Sequence, residues 1–157
     1  MIYLIVAVSK NGVIGNKGKI PWRIKEEMRF FKNTTMNNAI LMGRTTWDSL
    51  PKKPLINRRN IVLTNNPIEG VECVNNFNIF EEFREKDKNL FVIGGEMVYT
   101  QSISEVDYAI ISVVKQECSG DRFFPIPAWE VVKTENYSYF DVLHLKNPKR
   151  KKNGNPS

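Results

Sequence analysis

One acidic side chain stands among apolar residues on a single predicted helix face. Ile24, Glu27, Met28 and Phe31 follow one another at helical spacing, and Glu27 is the only polar residue of the four. A carboxylate turned toward a core is costly unless a partner stabilises its charge. No lysine or arginine lies one turn away on that face, although Arg23 could reach round the helix. Glu27 therefore either binds a ligand with hydrogen-bond donors or lies at the edge of the face in water, and helix geometry alone favours neither.

Two junctions between a predicted strand and a predicted helix could hold phosphate groups. In each, glycine comes directly after an apolar run. The two junctions are Gly43-Arg44-Thr45-Thr46 and Gly94-Gly95. Free N–H groups at a helix start, close approach at glycine and the Arg44 guanidinium would suit a phosphate. Neither junction contains the Gly-x-Gly-x-x-Gly fingerprint, and each glycine taken singly is more typical of a turn. At the carboxyl ends of parallel strands, both would face one crevice, which Glu27 could border.

The segment between the first predicted strand and the Glu27 helix, residues 11–22, resembles a lid. It contains three glycines and few residues that could pack before Pro21 and Trp22. An ordinary surface connection is the alternative. Its length and its position over the predicted crevice favour a mobile lid.

The order of the predicted elements indicates an α/β fold. Short apolar runs predict strands that are buried on both faces, at residues 2–8, 39–42, 61–63, 90–93 and 109–114. Amphipathic segments predict helices at residues 24–33, 45–50, 78–86 (with Asn78 as N-cap) and 96–103. Beyond Trp129, residues 130–135 and 139–145 alternate in polarity, which predicts antiparallel strands at a sheet edge. We expect a central, mostly parallel twisted sheet with an antiparallel C-terminal edge and about four flanking helices.

Composition predicts one cytoplasmic domain. The 157 residues are 41% hydrophobic, which is enough for one core, and no repeat or linker divides them. No apolar run approaches a membrane span, and no basic leader precedes the first strand. Two cysteines and one histidine lack metal-ligand spacing, so we expect no metal site.

The net charge of +6 is concentrated at the C-terminus. The last twelve residues carry five lysines and arginines and no acid, which leaves the rest of the chain near about +1. The body therefore lacks the broad positive surface that nucleic-acid binding needs. We expect the domain to span residues 1–146 and residues 147–157 to form a disordered basic tail.

The motifs together resemble the dihydrofolate reductase family. VIGNKGKIPW, the helix bearing Glu27 and Phe31, ILMGRTTWDSL, NIVLT, VIGGEMVY and SGDRFFP occur in the family's order and spacing. They cover most of the chain up to residue 130 or so. The resemblance implies a monomeric enzyme that uses NADPH to reduce 7,8-dihydrofolate to 5,6,7,8-tetrahydrofolate, which supports one-carbon and thymidylate metabolism and is a target of antifolate drugs.

The resemblance also implies roles for single residues. Glu27 would bind the amino group and ring nitrogen of the pterin and promote protonation of the adjacent imine nitrogen through a water placed by Trp22. Arg58 would bind the glutamate tail, with Arg59 as the alternative. The other positions implied for the substrate are Ile5, Ala7, Met28, Phe31, Leu50, Leu55, Ile93 and Ser112. Those implied for NADPH are Ala7, Ile14, Gly43, Arg44, Thr45, Thr46, Thr64, Asn65, Ile93, Gly94, Gly95, Val98 and Tyr99. The family's Gly-Gly bond is cis, and Arg44 implies a preference for the 2′-phosphate.

Two departures from the family pattern and two rival functions remain open. Residues 139–145 are either the penultimate strand of a sheet that lacks its last strand or the last strand after a shortened hairpin. Met97 stands where many relatives place a basic residue. The rivals are the related riboflavin-pathway reductase, which would not need Arg58 placed for a folate tail, and a basic nucleic-acid-binding module that relies on the tail.

Overall fold

The structure is a computed structural model that describes residues 1–150. Its strands are β1 (Ile2–Val8), β2 (Val13–Gly15), β3 (Ala39–Gly43), β4 (Arg59–Leu63), β5 (Glu72–Val74), β6 (Leu90–Val92), β7 (Tyr108–Val114), β8 (Arg122–Phe123), β9 (Glu130–Asn136) and β10 (Phe140–Lys146). Its helices are α1 (Lys25–Thr35), α2 (Arg44–Ser49), α3 (Ile79–Glu85) and α4 (Glu96–Ser102).

Eight of the strands form one sheet in the order β5-β4-β3-β6-β1-β7-β10-β9. Its first six strands pair in parallel, and β10 pairs antiparallel with both β7 and β9. The predicted fold class is therefore confirmed. The remaining strands, β2 and β8, form a separate antiparallel pair.

Side-chain alternation along the strands produces one apolar core on each face of the sheet. Along β1, Leu4 belongs to a core shared with α3 and α4, whereas Ile5 belongs to the opposite core shared with α1 and α2. The parallel strands read as continuous apolar runs because both of their faces are covered. The carboxyl ends of these parallel strands lie at one edge of the sheet, which we call the site edge. Elements that pack on the two faces of the sheet meet there.

The structure corrects two local predictions. Asn78 precedes α3 but makes no side-chain cap bond, and the Asn76 side chain instead accepts the Asn78 N–H at 2.9 Å. Met28 is 50% exposed, so it lies at the edge of the inward face of α1. Phe30 packs inward instead and meets the Tyr137 ring edge-on at 6.2 Å.

Toward the C-terminal end, β10 pairs with β7 on one side and with β9 on the other. This agrees with the second alternative for residues 139–145, a final strand that follows a shortened hairpin, here with its turn at residues 137–139. The expected tail boundary at Asn147 is too early. Asn147 is 2% exposed and donates from Nδ2 to the Val106 carbonyl at 2.9 Å, and Arg150 lies 3.8 Å from Asp107. The rest of the predicted disordered tail, residues 151–157, lies outside the described residues.

Among residues 1–150, no helix has the length and apolar character of a membrane span.

Candidate active site

The two predicted phosphate junctions lie side by side at the site edge. β3 and β6 are neighbours in the sheet, and Ile93 donates its N–H to the Leu41 carbonyl at 2.9 Å. The Gly43 N–H in turn donates to the Gly94 carbonyl at 2.9 Å. The starts of α2 and α4 therefore open onto the same place, as the strand order requires.

Close neighbours at Gly43 and the backbone angle at Gly94 favour glycine at these junctions. A Cβ on Gly43 would lie 2.9 Å from Cγ2 of Val98. A Cβ on Gly94 would lie 3.3 Å from the Tyr99 hydroxyl and 3.4 Å from the Thr46 hydroxyl, and its φ of +131° also favours glycine. The Gly94–Gly95 peptide bond is cis, as the resemblance implied.

The helix starts at both junctions keep their backbone donors free of side-chain caps. Neither Gly43 nor Gly95 provides a cap, and α2 has no acid in its first turn. Arg44 lies exposed at the first junction and pairs with Asp48 at 3.3 Å, a contact that is weak in water and leaves the guanidinium available. Unoccupied N–H groups beside a cation and hydroxyls suit an anionic phosphate.

A groove of about 570 Å³ lies beyond the carboxyl end of β4, the strand next to β3 in the sheet. The predicted cofactor residues Thr64 and Asn65 line it, together with Asn76 and Ile79. Its amides and hydroxyls offer donors and acceptors next to an apolar wall. The groove therefore extends the site along the sheet, away from Glu27.

Glu27 lies on α1 at the other side of the site edge. Its side chain is largely buried, and this burial raises the pKa of the Glu27 carboxyl from its usual 4.5 to about 7. Within residues 1–150 the carboxylate has no hydrogen-bond or ion-pair partner, so Arg23 does not reach it. Burial and the nearby charge of Glu27 both raise the pKa of Tyr99, whose hydroxyl donates to the Ile5 carbonyl at 2.8 Å. The carboxylate therefore faces the sheet rather than bulk water.

The cost of burying this carboxylate predicts a gain in stability when it is removed. Because the folded-state pKa lies above the unfolded value, the native state binds the proton more tightly, and its stability falls as pH rises from about 4.5 to about 7. We expect Glu27→Gln to raise the free energy of unfolding above about pH 7 by at most about 3 kcal/mol, with little gain near pH 4. Urea unfolding across this range measures it. Glu26→Gln, on the exposed face, is the control, and a Glu27→Gln gain independent of pH would contradict the burial.

Apolar side chains form the walls around Glu27. Those that pack on the α1/α2 core while remaining partly exposed are Trp22, Phe31, Leu50, Leu55 and Ile93. Ile5 forms the floor, and Ala7 is partly exposed further along β1. Ser112 pairs with Ala7 in the sheet but is only 2% exposed, so its side chain is less open to the cleft than the resemblance implied. The walls suit a flat, largely apolar ligand.

The two candidate arginines differ in what they contact. Arg58 donates to the Ile56 carbonyl at 3.0 Å and to the Thr35 hydroxyl at 3.1 Å, and burial lowers the pKa of its guanidinium. Within the described chain it has no carboxylate partner. Arg59 is bridged to Glu72 and Glu82. Arg58 is therefore the one of the pair whose charge remains available to an anionic ligand.

A buried side chain that the sequence did not single out fixes the loop before Arg58. Asn60 is buried, and its side-chain oxygen accepts the Leu55 N–H at 2.9 Å. Its nitrogen donates to the carbonyls of Leu55 and Arg58 at 2.9 and 2.8 Å. An asparagine at the start of an apolar strand is the only signal in the sequence, and it is a weak one.

The predicted lid is partly docked on a distant segment. Its strand β2 pairs with β8, the Asp121 N–H donates to the Gly15 carbonyl at 3.0 Å, and the Lys17 N–H donates to the Asp121 carboxylate at 3.2 Å. Ile14 is partly buried and packs on the α3/α4 core. The lid tip, residues 17–20, is exposed. Asp121 belongs to the SGDRFFP motif, but its role could not be assigned from the sequence because its partners lie about a hundred residues away.

No group of three or more potential metal ligands occurs within residues 1–150. The groups that the fold brings to the site edge are the Glu27 carboxylate, the two phosphate-type junctions with Arg44, the Arg58 guanidinium and apolar walls.

Comparison with known proteins agrees with this arrangement. The sequence model of the family described as dihydrofolate reductase matches residues 1–144. A dihydrofolate reductase of Buchnera aphidicola is 36% identical over 160 residues, which cover 90% of this chain and 98% of that protein. One from Mycoplasma genitalium is 36% identical over 158 residues, which cover 93% and 98%. The solved structure of dihydrofolate reductase from Enterococcus faecalis complexed with NADP(H) and RAB-propyl has a TM-score of 0.82 at 31% identity and covers 94% of this chain and 96% of that one.

The fold and the site define a nucleotide-dependent oxidoreductase of the α/β class. The chain belongs to the dihydrofolate reductase family. The expected activity, NADPH-dependent reduction of 7,8-dihydrofolate to 5,6,7,8-tetrahydrofolate, is therefore confirmed over the riboflavin-pathway reductase and the nucleic-acid-binding module.

Proposed function

We propose that Glu27 is the residue that binds and helps to protonate the pterin in this reaction. The observation that carries the proposal is its largely buried carboxylate, which has no partner within residues 1–150 and a pKa of about 7. An ionised Glu27 accepts hydrogen bonds from the pterin amino group and from a ring N–H. Ligand donors would then supply the stabilisation that the protein itself does not.

The remaining walls place the rest of the substrate. Phe31, Leu50 and Leu55 pack against the pterin and benzoyl rings, with Met28 at the exposed rim. Arg58 binds the carboxylate of the glutamate tail, because a guanidinium offers two parallel donors to a carboxylate. Ile5, Ala7, Ile93 and Ser112 complete the substrate set.

The residues present fit NADPH along the site edge. A Cβ on Gly43 would lie 2.9 Å from Cγ2 of Val98, and one on Gly94 would lie 3.3 Å from the Tyr99 hydroxyl, so both positions present bare backbone. The helix starts beside them carry N–H groups that no side chain caps. When bound, NADPH supplies the hydride. The proposed set around its phosphates and adenosine is Gly43, Arg44, Thr45, Thr46, Thr64, Asn65, Gly94 and Gly95. The set at the other end is Ala7, Ile14, Ile93, Val98 and Tyr99.

The protein's own contribution to the chemistry is alignment and proton supply. The apolar walls of the cleft would hold the pterin beside bound NADPH and exclude bulk water, which would lower the entropic cost of hydride transfer. Glu27 increases the protonation of the imine nitrogen through a water that Trp22 positions. Because its pKa lies near 7, Glu27 holds a proton part of the time at neutral pH.

The direct test is to mix the chain with NADPH and dihydrofolate and follow the loss of NADPH absorbance. We expect turnover with dihydrofolate and none with the ribosylaminopyrimidine of the riboflavin pathway. Turnover of the ribosylaminopyrimidine alone would overturn the assignment. Replacing NADPH with NADH should raise KM for the cofactor, and Arg44→Ala should reduce that difference.

The same proposal takes the chain as a single-domain, cytoplasmic monomer that does not act on nucleic acid. The near-neutral balance of the chain outside its last twelve residues supports the last point. Light scattering of the full chain measures the oligomeric state. RNA binding by the full chain that weakens with salt, and that is lost when residues 151–157 are removed, would contradict the proposal's exclusion of nucleic acid. The cut leaves the contacts of Asn147 and Arg150 in place.

A further inference from the structure

Glu96, the first residue of α4, has a contact that neither the motifs nor the reaction accounts for. Its carboxylate accepts the Phe123 N–H at 2.7 Å, across 27 residues of sequence. Phe123 belongs to β8, the strand that pairs with β2 of the lid. The preceding residue is Gly95 of the second phosphate junction. We call the two phosphate junctions, Gly43–Thr46 and Gly94–Gly95, the cofactor cradle. The Glu96 side chain thus links this cradle to the strand that pairs with the lid.

The segment that Glu96 holds is bonded to the lid on its other side. Val13 and Phe123 are partners in the β2–β8 pair, and the Phe124 N–H donates to the Gly12 carbonyl at 2.9 Å. Any displacement of residues 122–124 would therefore move the attachment of the lid. The position of the lid depends on what fixes this segment to the body of the protein.

Few other contacts fix β8 to α4. A groove of about 550 Å³ opens between them, lined by Glu96, Met97, Thr100, Gln101, Phe123 and Pro125. Met97 is 71% exposed and Phe123 is 48% exposed, so neither contributes much packing there. The exception is Phe124, which is buried with its ring 5.4 Å from that of Tyr99. Phe124 anchors the segment, and the Glu96 bond sets its position above that anchor.

The electrostatics of Glu96 also require that its carboxylate point away from the junction. An acid at a helix start competes with an anionic ligand for the same free N–H groups. The bond to Phe123 directs the Glu96 charge onto β8 and leaves the start of α4 open to phosphate. Phosphate binding at the start of α4 and docking of the lid therefore favour the same orientation of the Glu96 side chain.

We propose that Glu96 is a positioning residue that couples occupation of the cofactor cradle to docking of the lid. The inference rests on the proposed placement of the NADPH pyrophosphate at Gly94 and Gly95. Coupling of this kind is reciprocal in binding free energy: bound NADPH strengthens the lid contact, and the lid contact strengthens NADPH binding by the same factor. We expect the gain in affinity to appear as slower release of NADPH. Glu96 itself touches neither substrate nor the reacting atoms.

The test compares Glu96→Ala, which removes the acceptor, with Glu96→Gln, which keeps an acceptor oxygen and removes the charge. In Glu96→Ala we expect NADPH release to become about threefold to tenfold faster, the usual range for one lost hydrogen bond. KM for dihydrofolate should change less than about twofold. Glu96→Gln should release NADPH as slowly as the unaltered chain or more slowly. Gln101→Ala, on the same helix and groove, is the matched control and should change neither quantity.

Hydrogen exchange provides a readout independent of turnover. In the unaltered chain, NADPH should slow exchange of the amides in residues 121–124, and in Glu96→Ala this protection should be lost while protection near Gly95 persists. Equal protection in both proteins, or equal acceleration of release in Glu96→Gln and Glu96→Ala, would overturn the proposal. Urea unfolding checks that the variants fold. If the unaltered chain shows no NADPH-dependent protection at either place, the proposed cofactor placement fails and the coupling fails with it.

Discussion

Glu27→Gln is expected to slow hydride transfer about 10²-fold to 10³-fold above about pH 7 and far less near pH 5. Glutamine keeps the size of the side chain but cannot take up a proton or carry a charge. At neutral pH the imine nitrogen depends on Glu27 for its protonation. In acid, solvent protonates the substrate directly, and the two proteins should converge.

Single-turnover transfer from deuterated and ordinary NADPH, measured across this pH range, isolates the chemical step from product release. Glu26→Gln is the matched control, because Glu26 is the adjacent glutamate on the exposed side of the same turn. We expect Glu26→Gln to leave the pH profile unchanged. If Glu27→Gln slowed hydride transfer by the same factor at every pH, Glu27 would not supply the proton to the substrate.

Arg58→Gln should raise KM for dihydrofolate about 10-fold to 100-fold, which is the effect of losing a charge-assisted hydrogen bond to a carboxylate. KM for NADPH should not change, because Arg58 lies at the end of α1 rather than at the phosphate junctions. Arg59→Gln is the matched control. It removes two ion pairs at the protein surface and should lower stability modestly without raising KM for dihydrofolate.

A substrate without the glutamate tail sharpens this comparison. 6-Methyl-7,8-dihydropterin presents the reacting ring system but carries no carboxylate, so Arg58→Gln and the unaltered chain should bind it equally. If Arg58→Gln weakened binding of this pterin as much as binding of dihydrofolate, Arg58 would affect the shape of the cleft rather than bind the tail. If Arg59→Gln raised KM more than Arg58→Gln, the assignment of the tail site would be wrong.

These effects share one physical origin. Folding places the Glu27 carboxylate where its charge is poorly solvated, and it leaves the partly buried Arg58 guanidinium without an acidic partner within the described residues. Both arrangements cost stability in the absence of ligand and are compensated when a ligand with matching groups binds. The expected gain in stability of Glu27→Gln and its expected loss of activity are two consequences of the same burial.

The sequence predicted the elements that have strong periodicity. Strand β1 was predicted at its observed bounds, and all four helices were predicted to within two residues, because their apolar residues recur over several turns or pleats. Strands β2, β5 and β8 were not predicted. Each has three residues or fewer and, unlike the equally short β6, no run of buried residues, so the sequence shows no apolar pattern there.

The site was predictable where local chemistry is distinctive and unpredictable where it depends on distant partners. Gly43 and Gly94 follow apolar strands, which revealed the cradle. Two adjacent arginines could not be distinguished by sequence, because only the folded chain shows that Glu72 and Glu82 neutralise Arg59. The contact between Glu96 and β8 depends on strand placement, and a single glutamate at a helix start carries no signal of it.

The most direct test of the account is the titration of Glu27 itself. In the chain labelled with ¹³C at glutamate carboxyls, the Glu27 resonance, assigned by its absence in Glu27→Gln, should titrate with a midpoint near pH 7 in the free protein. It should shift when dihydrofolate is added. A midpoint near the usual 4.5, with no response to dihydrofolate, would mean that the carboxylate lies in water and would contradict its role in binding and protonating the substrate.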